Sequence, residues 1–212
     1  RGNLFRMMAR LNTVGRNCRI HPTAVVELSV LGDDVEIGAY AVVRNCVVGD
    51  GALIDDHASV RACVVGAGAS IANNNNVLMS VVYPRAFLIS GPYQFSVFGE
   101  DVAIMHCICC DTRLDAKPVL AEVGPGVQVD STQRYLGSCY GHRVRAGAGT
   151  ITAPGRAIPN DVFFLPPDGA VVTSVDADVP RRRSLFTEGG RLVYKGRKPL
   201  DKPVDAPAEK PV

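Results

Sequence analysis

The chain has 212 residues, which fits one domain with tails, and its formal net charge of +2 gives no signal for nucleic acid or an anionic membrane surface. No apolar run approaches the ~20 residues of a membrane-spanning helix, and no signal peptide is visible. The hydrophobic fraction of 47% is rich in Val and Ala, aromatic residues amount to 6%, and Trp is missing. This composition favours a narrow core lined by small and β-branched side chains.

The first predicted element covers residues 1–13. Its apolar residues have the spacing of a short amphipathic helix: Leu4, Phe5, Met7, Met8 and Leu11. We expect this helix to cap an apolar end of the fold that follows.

A constant interval, that from Ile20 to Ile37, organises the next segment, residues 14–77. Aliphatic side chains recur at this interval in three columns: Ile20, Ile37, Ile54 and Ile71; Val26, Val43, Val60 and Val77; Val14, Leu31, Val48 and Val65. Repeats that cannot bury their own apolar side must stack on one another. The columns therefore predict regular stacked coils over this segment.

Each period contains aliphatic steps of six, five and six residues, as in Val48-Gly-Asp-Gly-Ala-Leu. A helix would need apolar steps of three and four residues. Steps of six with Gly or Asp in between predict a short strand, a tight corner and another short strand. Three such sides make a triangular coil with the first and fifth residues of each hexapeptide inside, and neighbouring coils lie about 4.8 Å apart.

Cysteine is odd in number, at seven, with no metal-knuckle spacing and no secreted disulfide framework. Cys46 and Cys63 are separated by one full repeat interval, so they would lie on adjacent coils within reach of a disulfide. Small buried thiols are the favoured interpretation. We therefore predict a reducing, cytoplasmic location.

The pattern weakens over residues 78–122, where we expect irregular coils with projecting loops near 78–97 and 111–122. The first loop is rich in aromatic residues, and another follows directly after it: Tyr83, Phe87, Tyr93, Phe95 and Phe98. Loops that leave a repetitive scaffold often carry function. The aromatic loop fits a packed flap or a ligand wall equally well.

Regular steps resume and predict further coils over residues 123–175. They run through Val123, Val129, Tyr135, Tyr140, Ala146, Thr152, Ile158 and Phe164. Roughly eight coils are then expected in all, by the strand spacing. Residues 176–212 are rich in Pro, Lys and Arg and predict a small hairpin that turns at Gly189-Gly190, followed by an extended tail.

These hexapeptides resemble the left-handed parallel β-helix of the hexapeptide-repeat transferases, over about residues 14–77 and 123–165. The segment from Val43 to Ile54 is similar to the β-helix domains at the C-termini of sugar nucleotidyltransferases. The segment from Val144 to Gly155 is similar to late coils of sugar acyltransferases. The resemblance implies an all-β, left-handed helix that forms homotrimers, with donor and acceptor sites in grooves between neighbouring prisms.

The leading functional hypothesis from this resemblance is transfer of an acyl group from acetyl-CoA or an acyl-carrier thioester to a sugar or sugar-nucleotide acceptor. The first alternative is a non-catalytic oligomerisation or scaffold module. Another is the β-helix part of a sugar nucleotidyltransferase, although no Gly-rich nucleotide-binding segment occurs in these residues. The sequence leaves open whether a domain precedes Arg1.

Acyl transfer needs a base for the acceptor proton, and this base is most often His. His142 lies two residues after Tyr140, and His106 two residues after Ile104, so both are expected to point outward beside the irregular segments. These two are the candidate catalytic residues. For His57 and His21 a solvated or packing role is favoured.

Three arginines on the late coils are the candidates for the phosphates of the donor: Arg143, Arg145 and Arg156. An outward surface role is the competing interpretation. The run Arg181-Arg182-Arg183 is best explained as a solvated linker.

No metal site is predicted. The γ-class carbonic anhydrases share the β-helix fold, but the four histidines here do not show the spacing of their zinc ligands. In His106-Cys107-Ile108-Cys109-Cys110, strand alternation would place His106 and Cys110 on one side and Cys107 and Cys109 on the other. A structural role for this cluster is therefore favoured, with a divergent metal enzyme as the remaining alternative.

Overall fold

The structure of the chain is a computed structural model that describes residues 11–167, 172 and 186–193. The chain divides into two units, residues 1–165 and residues 166–212. The predicted capping helix lies almost wholly outside the described residues, as does most of the predicted C-terminal tail. Thr13, its last residue, instead begins the first strand, because its N–H donates to the carbonyl of Ser29 at 3.0 Å.

The first unit is a left-handed parallel β-helix, which confirms the predicted fold class. Two of its three faces are eight-stranded parallel sheets. Face one consists of Thr13–Val14, Val30–Leu31, Val47–Val48, Val64–Val65, Val81–Val82, Val97–Phe98, Cys139–Tyr140 and Ala157–Ile158. Face two consists of Arg19–Ile20, Glu36–Ile37, Leu53–Ile54, Ser70–Ile71, Phe87–Leu88, Ala103–Ile104, Arg145–Ala146 and Phe163–Phe164.

Face three begins with a five-stranded parallel sheet: Val25–Glu27, Val42–Arg44, Ser59–Arg61, Asn76–Leu78 and Pro92–Gln94. Two more strands, Ile108–Cys109 and Ile151–Thr152, pair with each other, and the first of them lies beside Pro92–Gln94. Each coil thus contributes one short strand to each face, except the last, whose described strands lie on faces one and two. The columns of the sequence are the in-register strands of neighbouring coils, such as those of Val30, Val47 and Val64.

The inside of the prism follows the hexapeptide pattern. Ile37, Ala41, Val48 and Ala52 are each at most 1% exposed, as predicted for first and fifth positions. Asn75 also points inward, and its Nδ2 donates to the carbonyl of Leu88 at 2.9 Å. The inward side chains are buried because the coils above and below cover each of them.

The corner between faces three and one is held by a column of short polar side chains. Its members are Ser29, Cys46, Cys63, Ser80, Ser96 and Ser138, all nearly fully buried. The Ser80 hydroxyl donates to the carbonyl of Leu78 at 2.8 Å and accepts the N–H of Ser96 at 3.1 Å. The Cys46 and Cys63 thiols each donate to the carbonyl two residues earlier, at 3.1 Å. Both cysteines are free thiols that take the place of serine in this column.

The prediction of a projecting loop near 78–97 is wrong, since these residues form a regular coil of the β-helix. Val64 pairs with Val81 and Val81 with Val97, so the coil that begins at Val81 is one residue shorter than the coil before it. The missing residue lies in the corner before Gly91, which takes an inward slot. A Cβ on Gly91 would lie 2.5 Å from the ring of Tyr93, so the corner is shorter where a large core side chain needs the space. The loss of one residue shortens the repeat interval at this coil, but its strands still pair in register with those of the neighbouring coils.

The later coils carry aromatic residues in the core instead of aliphatic ones. The ring of Phe98 lies 5.2 Å from Tyr93 and 5.3 Å from Tyr140, centroid to centroid, and all three are at most 1% exposed. Buried hydroxyls need partners. Tyr140 shares a hydrogen bond with Thr152 at 2.7 Å, and Tyr93 donates to the carbonyl of Ser90 at 2.6 Å.

The chain leaves the coils once within residues 11–165, between the strands Ile108–Cys109 and Cys139–Tyr140. Residues 111–137, here called the excursion, contain an antiparallel hairpin of Leu120–Gly124 and Val127–Asp130. The prediction of coils over residues 123–137 is therefore wrong. The six-residue steps through Val123, Val129 and Tyr135 are coincidental, since these side chains are 45–63% exposed instead of inward. From Cys139 to Phe164 the coils run as expected.

In the second unit the structure contains the predicted small hairpin. Its strands are Phe186–Glu188 and Arg191–Val193, which pair antiparallel around Gly189 and Gly190. Both glycines have positive φ, as a tight turn between two such strands requires.

Candidate functional site

The excursion is fastened to the coils at several points. The N–H of Leu136 donates to the carbonyl of Asp111 at 2.8 Å, which closes its base. The N–H of Glu122 donates to the carbonyl of Gly155 at 2.8 Å, and the rings of Phe95 and Tyr135 stack at 5.7 Å. The excursion is therefore held against the corner between faces three and one.

A groove lies between the start of the excursion and the last strand of face three. It has a volume of about 560 Å³, and we call it the excursion groove. Its lining residues are Cys110, Thr112, Arg113, Leu114, Asp115, Ile151, Ala153 and Pro154. Ile151 is 66% exposed and Leu114 is fully exposed, so the groove presents much apolar surface to solvent. Concave apolar sites with a few polar groups are the usual form of small-molecule sites.

The polar side chains that line the groove are the Arg113–Asp115 ion pair, the Thr112 hydroxyl and the Cys110 thiol. Arg113 binds Asp115 through two hydrogen bonds of 2.9 and 2.7 Å, and this contact lowers the pKa of the Asp115 carboxyl well below its usual value. Burial raises the pKa of the Cys110 thiol. Because only the thiolate is strongly nucleophilic, Cys110 is suited to lining the groove and unsuited to attacking a substrate.

His106 is exposed, as the sequence predicted, and stands at the corner before the strand Ile108–Cys109. Its carbonyl accepts the N–H of Gly149 at 2.8 Å, which fixes the backbone at this corner. No hydrogen bond or ion pair joins its imidazole to another described residue. Ile108 lies on the outer side of this strand, with His106 two residues before it and Cys110 two residues after it. His106 thus precedes the strand Ile108–Cys109, and Cys110, which lines the excursion groove, follows it.

His142 has a different environment. Its Nδ1 accepts the N–H of Glu100 at 2.9 Å, and its own N–H donates to Asn160 Oδ1 at 2.8 Å. Asp33 and Asp50 make the same contact in earlier coils, each accepting a backbone N–H from the coil before it. His142 therefore belongs to a column of corner side chains that hold successive coils together.

This contact also fixes the tautomer of His142. A neutral ring whose Nδ1 accepts a hydrogen bond carries its proton on Nε2. Taking up a second proton would turn Nδ1 into a donor and break the contact with Glu100. The geometry suits a structural role for His142 better than that of a general base.

The three predicted phosphate-binding arginines do not converge. Arg143 binds Asp161 through two hydrogen bonds of 2.6 and 2.8 Å, and Arg145 donates to the carbonyl of Asp101. Both lie near the corner between faces one and two. Arg156 lies instead at the corner between faces three and one, where its Nη2 donates to the carbonyl of Leu120 at 2.5 Å and holds the hairpin.

The remaining histidines lie in the regular coils. The ring of His57 stacks on that of Tyr40, with centroids 5.1 Å apart. The Nδ1 of His21 lies 2.8 Å from the hydroxyl of Thr23. Both arrangements fit the packing roles expected for them.

The Cys-rich strand has the predicted alternation. Cys107 and Cys109 are buried, whereas His106 is exposed and Cys110 is half-buried. The Cys107 thiol accepts the hydroxyl of Thr150 at 3.0 Å and donates to the carbonyl of Gly147 at 3.2 Å. Among the described residues, no group of three or more His, Cys, Asp or Glu side chains is placed to hold a metal ion.

Sequence reasoning placed a loop near 111–122 but missed the groove. The run Cys110-Asp-Thr-Arg-Leu-Asp115 lacks an inward apolar residue at the sixth position, and this was the available signal of an excursion. The opposite wall comes from residues 151–154, roughly forty positions later, so no local pattern could have predicted their contact. In the part of the chain that the structure describes, no helix is long and apolar enough to cross a membrane.

Comparison with solved structures finds hexapeptide-type transferases at low identity. A variant of GDP-perosamine N-acetyl transferase from Caulobacter crescentus, in complex with CoA and GDP-perosamine, is 19% identical with a TM-score of 0.34, over 78% of this chain and 60% of that one. The acetyltransferase domain of PglB from Neisseria gonorrhoeae, in complex with acetyl coenzyme A, is 18% identical with a TM-score of 0.23, over 71% of this chain and 52% of that one. A hexapeptide transferase family protein from Anaplasma phagocytophilum is 16% identical with a TM-score of 0.31, over 74% and 80%.

The chain spans only about 60% of the length of the Caulobacter crescentus enzyme. No curated protein sequence matches it. The GMPPB C-terminal domain model, in contrast, matches residues 8–115, more than half of the chain. The chain therefore belongs to the GMPPB C-terminal domain family.

Proposed function

We propose that this chain transfers an acyl group from a thioester donor to a sugar or sugar-nucleotide acceptor, with the excursion groove as the donor site and His106 as the base. The observation that carries the proposal is the groove itself, which borders the strand that follows His106, whose exposed imidazole has no described partner. The resemblance of the hexapeptides to acyltransferase coils agrees with this chemistry.

The groove fits the thioester end of a donor such as acetyl-CoA or an acyl carrier. An extended donor arm can lie against Ile151, Ala153 and Pro154, and the Arg113–Asp115 pair offers contacts to the polar groups of that arm. A donor lying along these residues would direct its thioester over Ile108 towards His106. Ile108 pairs with Ile151 and is 53% exposed. The surface between the groove and His106 is therefore open to a bound donor.

The reaction needs one proton transfer. An acceptor hydroxyl or amine attacks the thioester carbonyl while the His106 imidazole takes its proton. The tetrahedral intermediate then collapses, the C–S bond breaks, and the leaving thiolate takes the proton from the imidazolium. The products are the acylated sugar and the free thiol.

The test is release of free thiol from acetyl-CoA in the presence of a panel of amino- and hydroxy-sugar nucleotides. Loss of a positioned general base costs about 10²- to 10⁴-fold in rate, so we expect His106→Asn to lose activity on that scale. His57→Asn is the matched control, because it changes another His at the corner between faces two and three. Ala153→Trp should fill the groove and raise KM for the donor.

Three results would each overturn the proposal. The first is binding of acetyl-CoA that Ala153→Trp leaves unchanged. The second is thiol release that is the same in His106→Asn and in wild type. Failure of wild-type protein to bind acetyl-CoA or an acyl carrier would overturn it as well.

The second candidate is a non-catalytic module that associates with copies of itself, as the predicted homotrimer would. Its specific support is a column of outward valines on face one, described below. A module of this kind would release no thiol and would keep its oligomeric state when His106 and His142 are replaced.

A further inference from the structure

The outward side of face one contains no charged residue on its eight described strands. The in-register column along these strands is Thr13, Val30, Val47, Val64, Val81, Val97, Cys139 and Ala157. The five valines from Val30 to Val97 are 36–50% exposed. A sheet face that meets water normally carries polar side chains at its outward positions.

The other two faces of the same prism differ from face one because charged side chains occur among their outward residues. The outward column of face two includes Arg19, Glu36 and Arg145. Face three includes the ion pair of Glu27 with Arg44, at 2.6 Å. The coils are otherwise equivalent, so the uncharged character of face one is not a consequence of the repeat.

The apolar surface continues around the neighbouring corner. Met79, at the corner between faces three and one, is 55% exposed, and Leu28, Asn45 and Ala62 hold the same position in other coils, so this corner is uncharged and mostly apolar. Eight strands at about 4.8 Å span roughly 34 Å, and one side of the prism is about 18 Å wide, or about 600 Å². A stable interface buries about 800 Å² per partner, so face one with its corner is of the right size.

The excursion hairpin carries a second apolar surface. The Glu122 carboxylate accepts the N–H of Ala157 at 3.3 Å, so this side of the hairpin faces its own coil. The opposite side presents Val123, Val127 and Val129, which are 45–63% exposed. The chain thus has two uncharged apolar surfaces on different structural elements.

We propose that face one is the contact surface for a second copy of this chain, whose hairpin lies beside the valine column. A second copy fits because the chain itself supplies both uncharged surfaces. A contact between two different surfaces of the same chain closes into a ring when the rotation permits. This inference deepens the association proposed above and does not depend on acyl transfer.

The test is the mass of the full chain in solution, by sedimentation equilibrium, for wild type and three variants. We expect wild type to sediment as a multiple of 22.6 kDa. Val64→Lys should weaken association at least tenfold, because it places a charge in the middle of the column. Phe87→Lys is the matched control, since Phe87 is an outward residue of face two with similar exposure, 42% against 48%.

Circular dichroism establishes that each variant keeps the β-helix. If Val64→Lys does not fold, Val64→Thr replaces it, because Thr has the shape and strand preference of Val and should still weaken association. A monomeric wild type would overturn both the surface and the homo-oligomer. Association that survives Val64→Lys and Val64→Thr, or that Phe87→Lys abolishes, would overturn the surface alone. Thiol release measured on the same samples reports separately on acyl transfer.

Discussion

The coils before and after residue 90 use the same strands, corners and inward slots but fill them differently. The earlier coils place Ile, Val and Ala in the core and close it with thiol and hydroxyl corners. The later coils place the stack of Tyr93, Phe98 and Tyr140 in the core, together with Cys107, Thr150 and other polar groups. The excursion leaves from this second region, and the candidate site lies there.

This difference shows that the regular coils and the coils beside the excursion fill the same inward slots with different side chains. Strictly repeated coils need only small aliphatic side chains, since each coil closes the slots of the next. The later coils must also hold the excursion against one corner. Larger core side chains and more internal hydrogen bonds accompany it, as Tyr140 with Thr152 shows.

The largest expected effect on stability comes from Phe98→Ala, at about 3–5 kcal/mol. It leaves a cavity and removes two ring contacts, each worth about 0.5–1.5 kcal/mol beyond its buried area. Leu88→Ala, in the coil below, is the matched control without ring contacts. Urea unfolding gives both free energies. An equal or smaller loss for Phe98→Ala would show that the aromatic stack adds nothing to the later coils.

High pH should destabilise the later coils through their buried phenols. Burial raises the pKa of Tyr93 and of Tyr140, so the unfolded chain, whose tyrosines ionise near pH 10, binds fewer protons than the folded chain above that pH. Their contribution to stability is therefore complete below pH ~10 and is lost as pH rises, by about 1.4 kcal/mol per pH unit for each tyrosine.

The measurement is the free energy of unfolding in urea from pH 9 to 11, for wild type and Tyr140→Phe. The variant should show a shallower loss above pH ~10. The same slope in both proteins would mean that Tyr140 does not stay neutral in the folded state.

Replacing His142 separates its corner contact from catalysis. His142→Ala leaves the N–H of Glu100 without its acceptor and should cost about 1–3 kcal/mol of stability. His142→Asn should cost much less, because Asn160 makes the same contact one coil later. Thermal unfolding and thiol release are both measured. Loss of activity in a stable His142→Asn variant would instead make His142 the catalytic base.

The smallest effect is expected in the thiol corner of the regular coils. Cys63→Ala removes the hydrogen bond to the carbonyl of Arg61 and should cost about 1 kcal/mol. Cys63→Ser should retain most of the stability, because Ser80 occupies the same slot in the next coil. If Ser is no better than Ala, packing of the sulfur decides this position instead of its hydrogen bond.

The sequence predicted the fold because each coil repeats its inward residues. Ile37, Ile54 and Ile71 can be read as a column without knowledge of the structure. The pattern failed where one residue was lost before Gly91 and where chance steps continued through Val123 and Val129. Periodicity gives only the spacing of apolar residues along the chain. It cannot distinguish a coil from a hairpin whose apolar residues have the same six-residue spacing.

The candidate site was predicted only in part. The alternation of inward and outward residues correctly predicted that His106 is exposed. It could not show that His142 accepts the N–H of Glu100. That contact joins residues 42 positions apart, across the excursion. The same limit applies to Arg143, whose bond to Asp161 depends on stacking of two coils.

The most direct test of the excursion groove as the donor site is hydrogen exchange of the full chain with and without acetyl-CoA. The groove predicts that protection from exchange appears in residues 110–115 and 151–154. Protection centred on Arg143 and Asp161 instead, or no change anywhere along the coils, would contradict the assignment of the groove.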